Sequence, residues 1–285
     1  MELSRRHLLF SLSMLLLLLP FYSPLGELTG FSIHHDIYSY IPLIPFVSGF
    51  FFYWKRKSIF NNSEFSFAVG SIIIGIGSLL FITGFLDIFH LNENDYLSMM
   101  AFSMWLTWMG TFVLFYGFQT FKRAAFPLLF LLFMIPLPGI ATQAFVHLLQ
   151  KGSAEVVGII FYALGLPVIR EGYAFHFPRL SVEIWENCSG IRVGIALVIT
   201  AVIAANLLLQ KRWTITVAVL ASVPIAILRN ALRIVSLSII GVYIDEGIFK
   251  SDLHDIQGGI LFFSLALFLL WAVISLLKKF ENNTA

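Results

Sequence analysis

"ENCSGIRVGIALVITAVIAANLLLQKR", residues 186–212, decides how the whole chain is read. It opens with the only cysteine and ends at Lys211 and Arg212, and between them runs an almost wholly apolar stretch. A helix needs about 20 such residues to cross the hydrocarbon core of a bilayer. The stretch therefore predicts a membrane span with a thiol at one end and a basic pair at the other. Composition extends the reading to the rest of the chain. Of 285 residues, 59% are hydrophobic and 12% charged, with a mean hydropathy of +0.88. Soluble chains are about 45–50% apolar and about 25% charged. The net charge of +2 is dispersed between apolar blocks and gives no footprint for nucleic acid. One cysteine excludes an internal disulfide and a thiolate metal cage.

Working outward, further spans are expected at about 7–24, 37–54, 66–86, 98–118, 124–141, 213–242 and 256–277, about eight in all. Arg5 and Arg6 precede the first, and with no small-x-small cleavage site after it we expect an uncleaved anchor. The expected architecture is an all-α polytopic membrane protein. Residues 1–123 form an N-terminal four-helix region and 124–285 the catalytic region. Lys and Arg beside the spans set orientation. Arg5/Arg6, Lys55/Arg56/Lys57, Lys122/Arg123, Lys211/Arg212 and Lys278/Lys279 fall in alternate connections, which predicts cytoplasmic termini in a multi-pass protein of the cytoplasmic (inner) membrane. The stretch 142–166 carries His147, Gln150, Lys151 and Glu155, poor residues for lipid contact. It is expected as a short interfacial or re-entrant helix on the outer face. After it, Tyr173, Phe175 and Phe177, then Leu180, Val182 and Ile184, alternate with smaller or polar neighbours around Pro178. That period of two predicts a β-hairpin. Strand addition to such a hairpin is one way to hold an extended peptide.

The outer side then collects ionisable groups. Asn187 is the expected N-cap, placing Cys188 in the first turn of its helix, where the dipole favours a thiolate. Gly190 and Gly194 keep that turn thin. In "SVPIAILRNALRIVSLSIIG", counting from Trp213 at roughly 1.5 Å per residue puts Arg233 about 30 Å along the helix axis, at the opposite interface. Arg229 lies one turn below on the same face and Asn230 shares that side. Arg229, too deep to reach headgroups easily, is expected to have a partner within the protein, and Pro224 is a candidate kink. In "KSDLHDIQGG", Asp252 is a candidate N-cap, His254 falls at the head of the last span and Gly258 leaves space one turn on. Taken singly, each has an ordinary reading: a buried cysteine, a snorkelling arginine, an interfacial histidine. Together a thiol, a base and a fixed positive charge suit thioester-mediated acyl transfer.

The second half of the chain resembles exosortase/archaeosortase membrane transpeptidases. The matching pieces are "MIPLP" (134–138), "GLPVIREG" (165–172), "ENCSGIR" (186–192), "PIAILRNALRI" (224–234) and His254 through Gly258. The resemblance implies a catalytic set of Cys188, Arg233 and His254, with Arg229 as a second arginine and Asn187, Asn230, Gly190 and Gly258 supporting. Asn187 departs from the small residue expected before the cysteine. The family's substrates are exported proteins with a C-terminal recognition motif, a transmembrane helix and a basic tail. Cleavage gives an acyl-enzyme that passes to a surface acceptor or water, with no cofactor and no metal. The rival readings are a polytopic transporter or channel, a catalytically silent assembly factor for envelope or exopolysaccharide export, and a metal enzyme using His34, His35, Asp36 and His90. The first would place its charges near mid-membrane, and the last has no HExxH-like pairing.

Overall fold

The computed structural model describes residues 2–61, 64–178, 181–243 and 258–283. Among these, seven helices are long and apolar enough to cross a membrane, and a bent pair makes an eighth span if counted as one. The chain divides into two compact units, Met1–Ala141 and Thr142–Ala285.

The first unit begins with that bent pair, α1 (Glu2–Leu18) and α2 (Tyr22–His34). Their axes differ by 73°, so the expected span 7–24 breaks after Leu18, where Pro20 cannot continue the amide ladder. Then follow α3 (Ile44–Ile59), α4 (Phe67–Phe85) and α5 (Glu93–Arg123). The α4–α5 pair owes its closeness to glycine. A Cβ on Gly70 would fall 2.5 Å from Leu114 Cβ, and one on Gly110 would fall 2.7 Å from the Ile74 nitrogen. Small residues let helix backbones approach where lipid offers no hydrophobic drive to associate. Ser103, Thr107 and Thr111, also buried here, give their hydroxyls to carbonyls of α5 itself, three or four residues back. The helix breaks its geometry once, at Gly117 (φ 79°, ψ 166°), where the Glu64 carbonyl occupies the place of a side chain.

Residues 124–163 divide differently from expectation. The stretch 124–141 is not one long helix: it holds α6 (Ala125–Phe130), a 3₁₀ turn, Leu131–Met134, and an extended link into the next helix. Pro127, Pro136 and Pro138 deny it a continuous ladder. The carbonyls left over are taken by side chains: Ser48 bonds Pro127 at 2.7 Å, Trp105 bonds Leu128 at 3.0 Å, Ser98 bonds Pro136 at 2.8 Å, and Asn94 bonds Leu137 at 2.9 Å. Asp95 then accepts the Gly139 N–H at 2.6 Å, opening α7 (Gly139–Ala163). That 25-residue helix is long and apolar enough to cross by length and composition, where a short interfacial or re-entrant helix is expected at 142–166.

The second unit contains most of α7, a small sheet, α8 (Ile191–Leu208), α9 (Arg212–Tyr243) and α10 (Gly258–Asn283). Pro224 lies inside α9, which remains helical through it. The expected hairpin is a three-stranded antiparallel meander: β1 (Ile169–Glu171), β2 (Ala174–His176) and β3 (Ser181–Glu183), in that order. A two-residue turn, Gly172-Tyr173, joins the first two, with Gly172 at φ 61°, as tight hairpins require. Phe175, Phe177 and Ile184 are buried against Ala154, Val157 and Phe161 of α7 and Ala231, Ile234 and Val235 of α9. The sheet is thereby fastened to both helices.

Candidate active site

Ile184 leads from the sheet into Trp185 and a 3₁₀ turn, Glu186–Cys188. The Cys188 N–H is bonded to the Trp185 carbonyl at 2.8 Å and the Ser189 N–H to that of Glu186 at 3.0 Å. The chain then passes through Gly190 in the left-handed region (φ 79°, ψ 20°), and α8 begins at Ile191. This corrects two expectations. Asn187 lies inside the turn and is not the helix N-cap, which is Gly190. Cys188 precedes the helix instead of occupying its first turn. The reason is steric: only glycine adopts that backbone freely, so the chain reverses hand there and the helix starts after it.

Asn230 holds the turn from α9. Only 1% exposed, it donates from Nδ2 to the Cys188 carbonyl and to Ser153 Oγ of α7, both at 3.0 Å. Its Oδ1 would stand 3.1 Å from a Cβ on Gly190, so a side chain there would meet the amide as well as the backbone strain. Gly194 gives similar closeness one turn on, where a Cβ would lie 3.1 Å from Leu149. Both glycines thus serve the tight approach expected of them. Cys188 is half-buried beside this anchor.

One position before Asn230, Arg229 is 2% exposed and donates to the Gly259 carbonyl at 3.2 Å. The deeper arginine therefore has the partner within the protein that its depth demanded. Its contact is at the start of α10, one residue past Gly258. Arg233 is half-buried one turn along α9 on the same side. His254 and Asp252 lie outside the described residues. Beside the cysteine, the buried atoms Asn230 Oδ1 and Ser189 Oγ have no hydrogen-bond partner among the described residues, and neither does Arg229 Nε on α9.

The sequence reading passed over α7 as a contributor. Gln150 donates to the Ile184 carbonyl at 2.6 Å, and Ser153 meets Asn230. Glu155 receives Arg170 in a two-toothed pair at 2.7 and 3.1 Å. That hydrogen bond keeps the Arg170 guanidinium pKa above its ordinary value. The signal was present as spacing: Gln150, Ser153, Ala154, Val157 and Phe161 recur at three and four and are all buried. Of the residues named for a metal, His34 and His35 bond carbonyls of their own helix and His90 sits beside Asp87.

The fold is that of a polytopic helical membrane protein, with its one thiol in a turn that a buried amide braces. More particularly, the family model for transmembrane exosortases matches residues 31–272, and the chain belongs to that family. Neither the curated proteins nor the solved structures give a match. Family membership supports a membrane transpeptidase-type role in general terms.

Proposed function

We propose that the protein is a cysteine-type transpeptidase that trims the C-terminal sorting tail of exported proteins at the outer face of the cytoplasmic membrane. The observation that carries this reading is the Cys188 turn, fixed by Asn230 of the same helix that carries Arg229 and Arg233. A nucleophile works best when its position is preorganised and not chosen at the moment of reaction. Sγ of Cys188 attacks the scissile carbonyl while His254 takes the thiol proton. The guanidinium of Arg233 stabilises the oxyanion that forms. Collapse breaks the C–N bond, the proton passes to the departing amine, and a thioester remains. An acceptor amine or water then attacks the thioester and regenerates the thiol. Arg229 donates to the Gly259 carbonyl and so fixes the start of α10, and Arg233, which ends the family-like "NALR", is assigned the oxyanion. The outer-face location rests on the alternating Lys and Arg clusters.

The test compares the C-terminal peptides of exported membrane proteins from otherwise identical cells making wild type, Cys188→Ala or Cys188→Ser. Trimmed C-termini should disappear in both variants at unchanged protein level. A profile matching wild type in Cys188→Ala would overturn the reading and return the transporter or scaffold alternatives.

A further inference from the structure

Resting on that reading, we propose that the outer edge of β3 is the substrate-docking strand. It pairs with the extended segment of the substrate that precedes its membrane helix and delivers that segment to Cys188. The register decides which edge is open. The Ile184 N–H bonds the Tyr173 carbonyl at 3.1 Å, and Phe175 faces Val182 in the same ladder. Bonded pairs alternate with unbonded ones along antiparallel strands. The N–H and C=O of Val182 and the N–H of Ile184 therefore turn toward β2, whereas those of Ser181 and Glu183 turn outward. Among the described residues nothing bonds those outward groups.

An open edge of this kind is a template for another strand, and natural proteins cover or blunt it unless it is used. β1 is the other edge, but of its three residues only Arg170 has its N–H and C=O turned outward, and it leads away from the cysteine. β3 leads toward it. The chain stays extended through Trp185 (φ −70°, ψ 159°) before turning into Cys188. The core beneath is fastened by Phe175 and Ile184, and Gln150 holds the Ile184 carbonyl, so the edge is a rigid platform. The occupant is a polypeptide in extended form, since the groups on offer are backbone N–H and C=O. Exposed Glu183 and Glu186 flank the edge, so the segment that fits carries basic or neutral side chains on its outward side.

The experiment uses the full-length protein in cells. The probe is an exported reporter bearing the tail of a host protein whose C-terminus changes between wild type and Cys188→Ala. Proline is placed singly along the segment before the membrane helix. If β3 docks the segment, processing should fall about fivefold or more at alternate positions, where an N–H to β3 is lost, and hold between them. On the enzyme, Glu183→Pro removes an outward N–H without breaking the β2 ladder, while Glu183→Ala keeps it. Processing should fall about fivefold or more further in the first than in the second at equal protein abundance. A proline scan without period two, or Glu183→Pro that processes as wild type, would overturn the docking strand while leaving Cys188 catalysis intact. No C-terminus that changes with Cys188→Ala would instead overturn the parent reading, and the docking strand with it.

Discussion

The α4–α5 pair and the Cys188 surroundings bury polar groups in opposite ways. On α5, Ser103, Thr107 and Thr111 turn their hydroxyls back onto their own helix, and glycine closes the gap to α4. The unsatisfied atoms of that helix, on Asn94, Trp108 and Thr120, are separated by 12 or 14 positions, about 18–21 Å of axis. In the second unit, Asn230 and Arg229 reach to other segments, and the unsatisfied Asn230 Oδ1 and Ser189 Oγ both lie beside Cys188. A buried polar atom without a partner costs about 1–3 kcal/mol. Scattered single atoms are the ordinary leftovers of packing. Under the proposed function, buried polar atoms left open beside Cys188 are a place that a substrate completes.

This contrast can be broken experimentally. The largest expected effect on stability is Gly70→Ala, because the new methyl meets the backbone and Cβ of Leu114 at 2.5–2.7 Å. Overpacking of this kind costs about 1–3 kcal/mol. Thermal unfolding in detergent should show a lower midpoint, while molecules that remain folded process tails at the wild-type rate. Asn230→Ala should invert the outcome. It removes two donor contacts worth about 1 kcal/mol each, a modest loss of stability. Tail processing per folded molecule should nevertheless fall by more than about tenfold, since a small displacement of a nucleophile is expensive in rate. Equal losses of stability and rate in both variants would erase the distinction between the two regions. The smallest effect is expected at Glu281→Gln. That carboxylate accepts the N–H groups of Gln210 and Lys211 and the Thr214 hydroxyl, tying α10 to the start of α9. A slight drop in the unfolding midpoint with unchanged processing would show that this end of the unit is a fastening only.

Hydrophobic runs and charge alternation made the helical membrane architecture readable from the sequence. They also brought Arg229, Asn230 and the glycines to the right helices, because a period of 3.6 and a 1.5 Å rise locate residues on a span without further information. Two things were not readable. How 124–138 breaks into a short helix, a 3₁₀ turn and an extended link depends on where the proline-freed carbonyls find donors, and those donors, Ser48, Asn94, Ser98 and Trp105, lie far away in sequence. The start of α8 depends on a backbone torsion at Gly190, and Asn187 offered a more familiar cap nearby. Local cap preference lost to a tertiary contact with Asn230. His254, named for the base, lies outside the described residues.

The bond from Asn230 to Cys188 spans 42 positions of chain. A polypeptide made from its N-terminus at about 5–20 residues per second completes the second partner roughly 2–8 seconds after the first. During that interval the cysteine is already synthesised, but its turn lacks its anchor. The anchored turn thus arrives only with α9, and under the proposed function a newly made chain has no held nucleophile until that helix is complete.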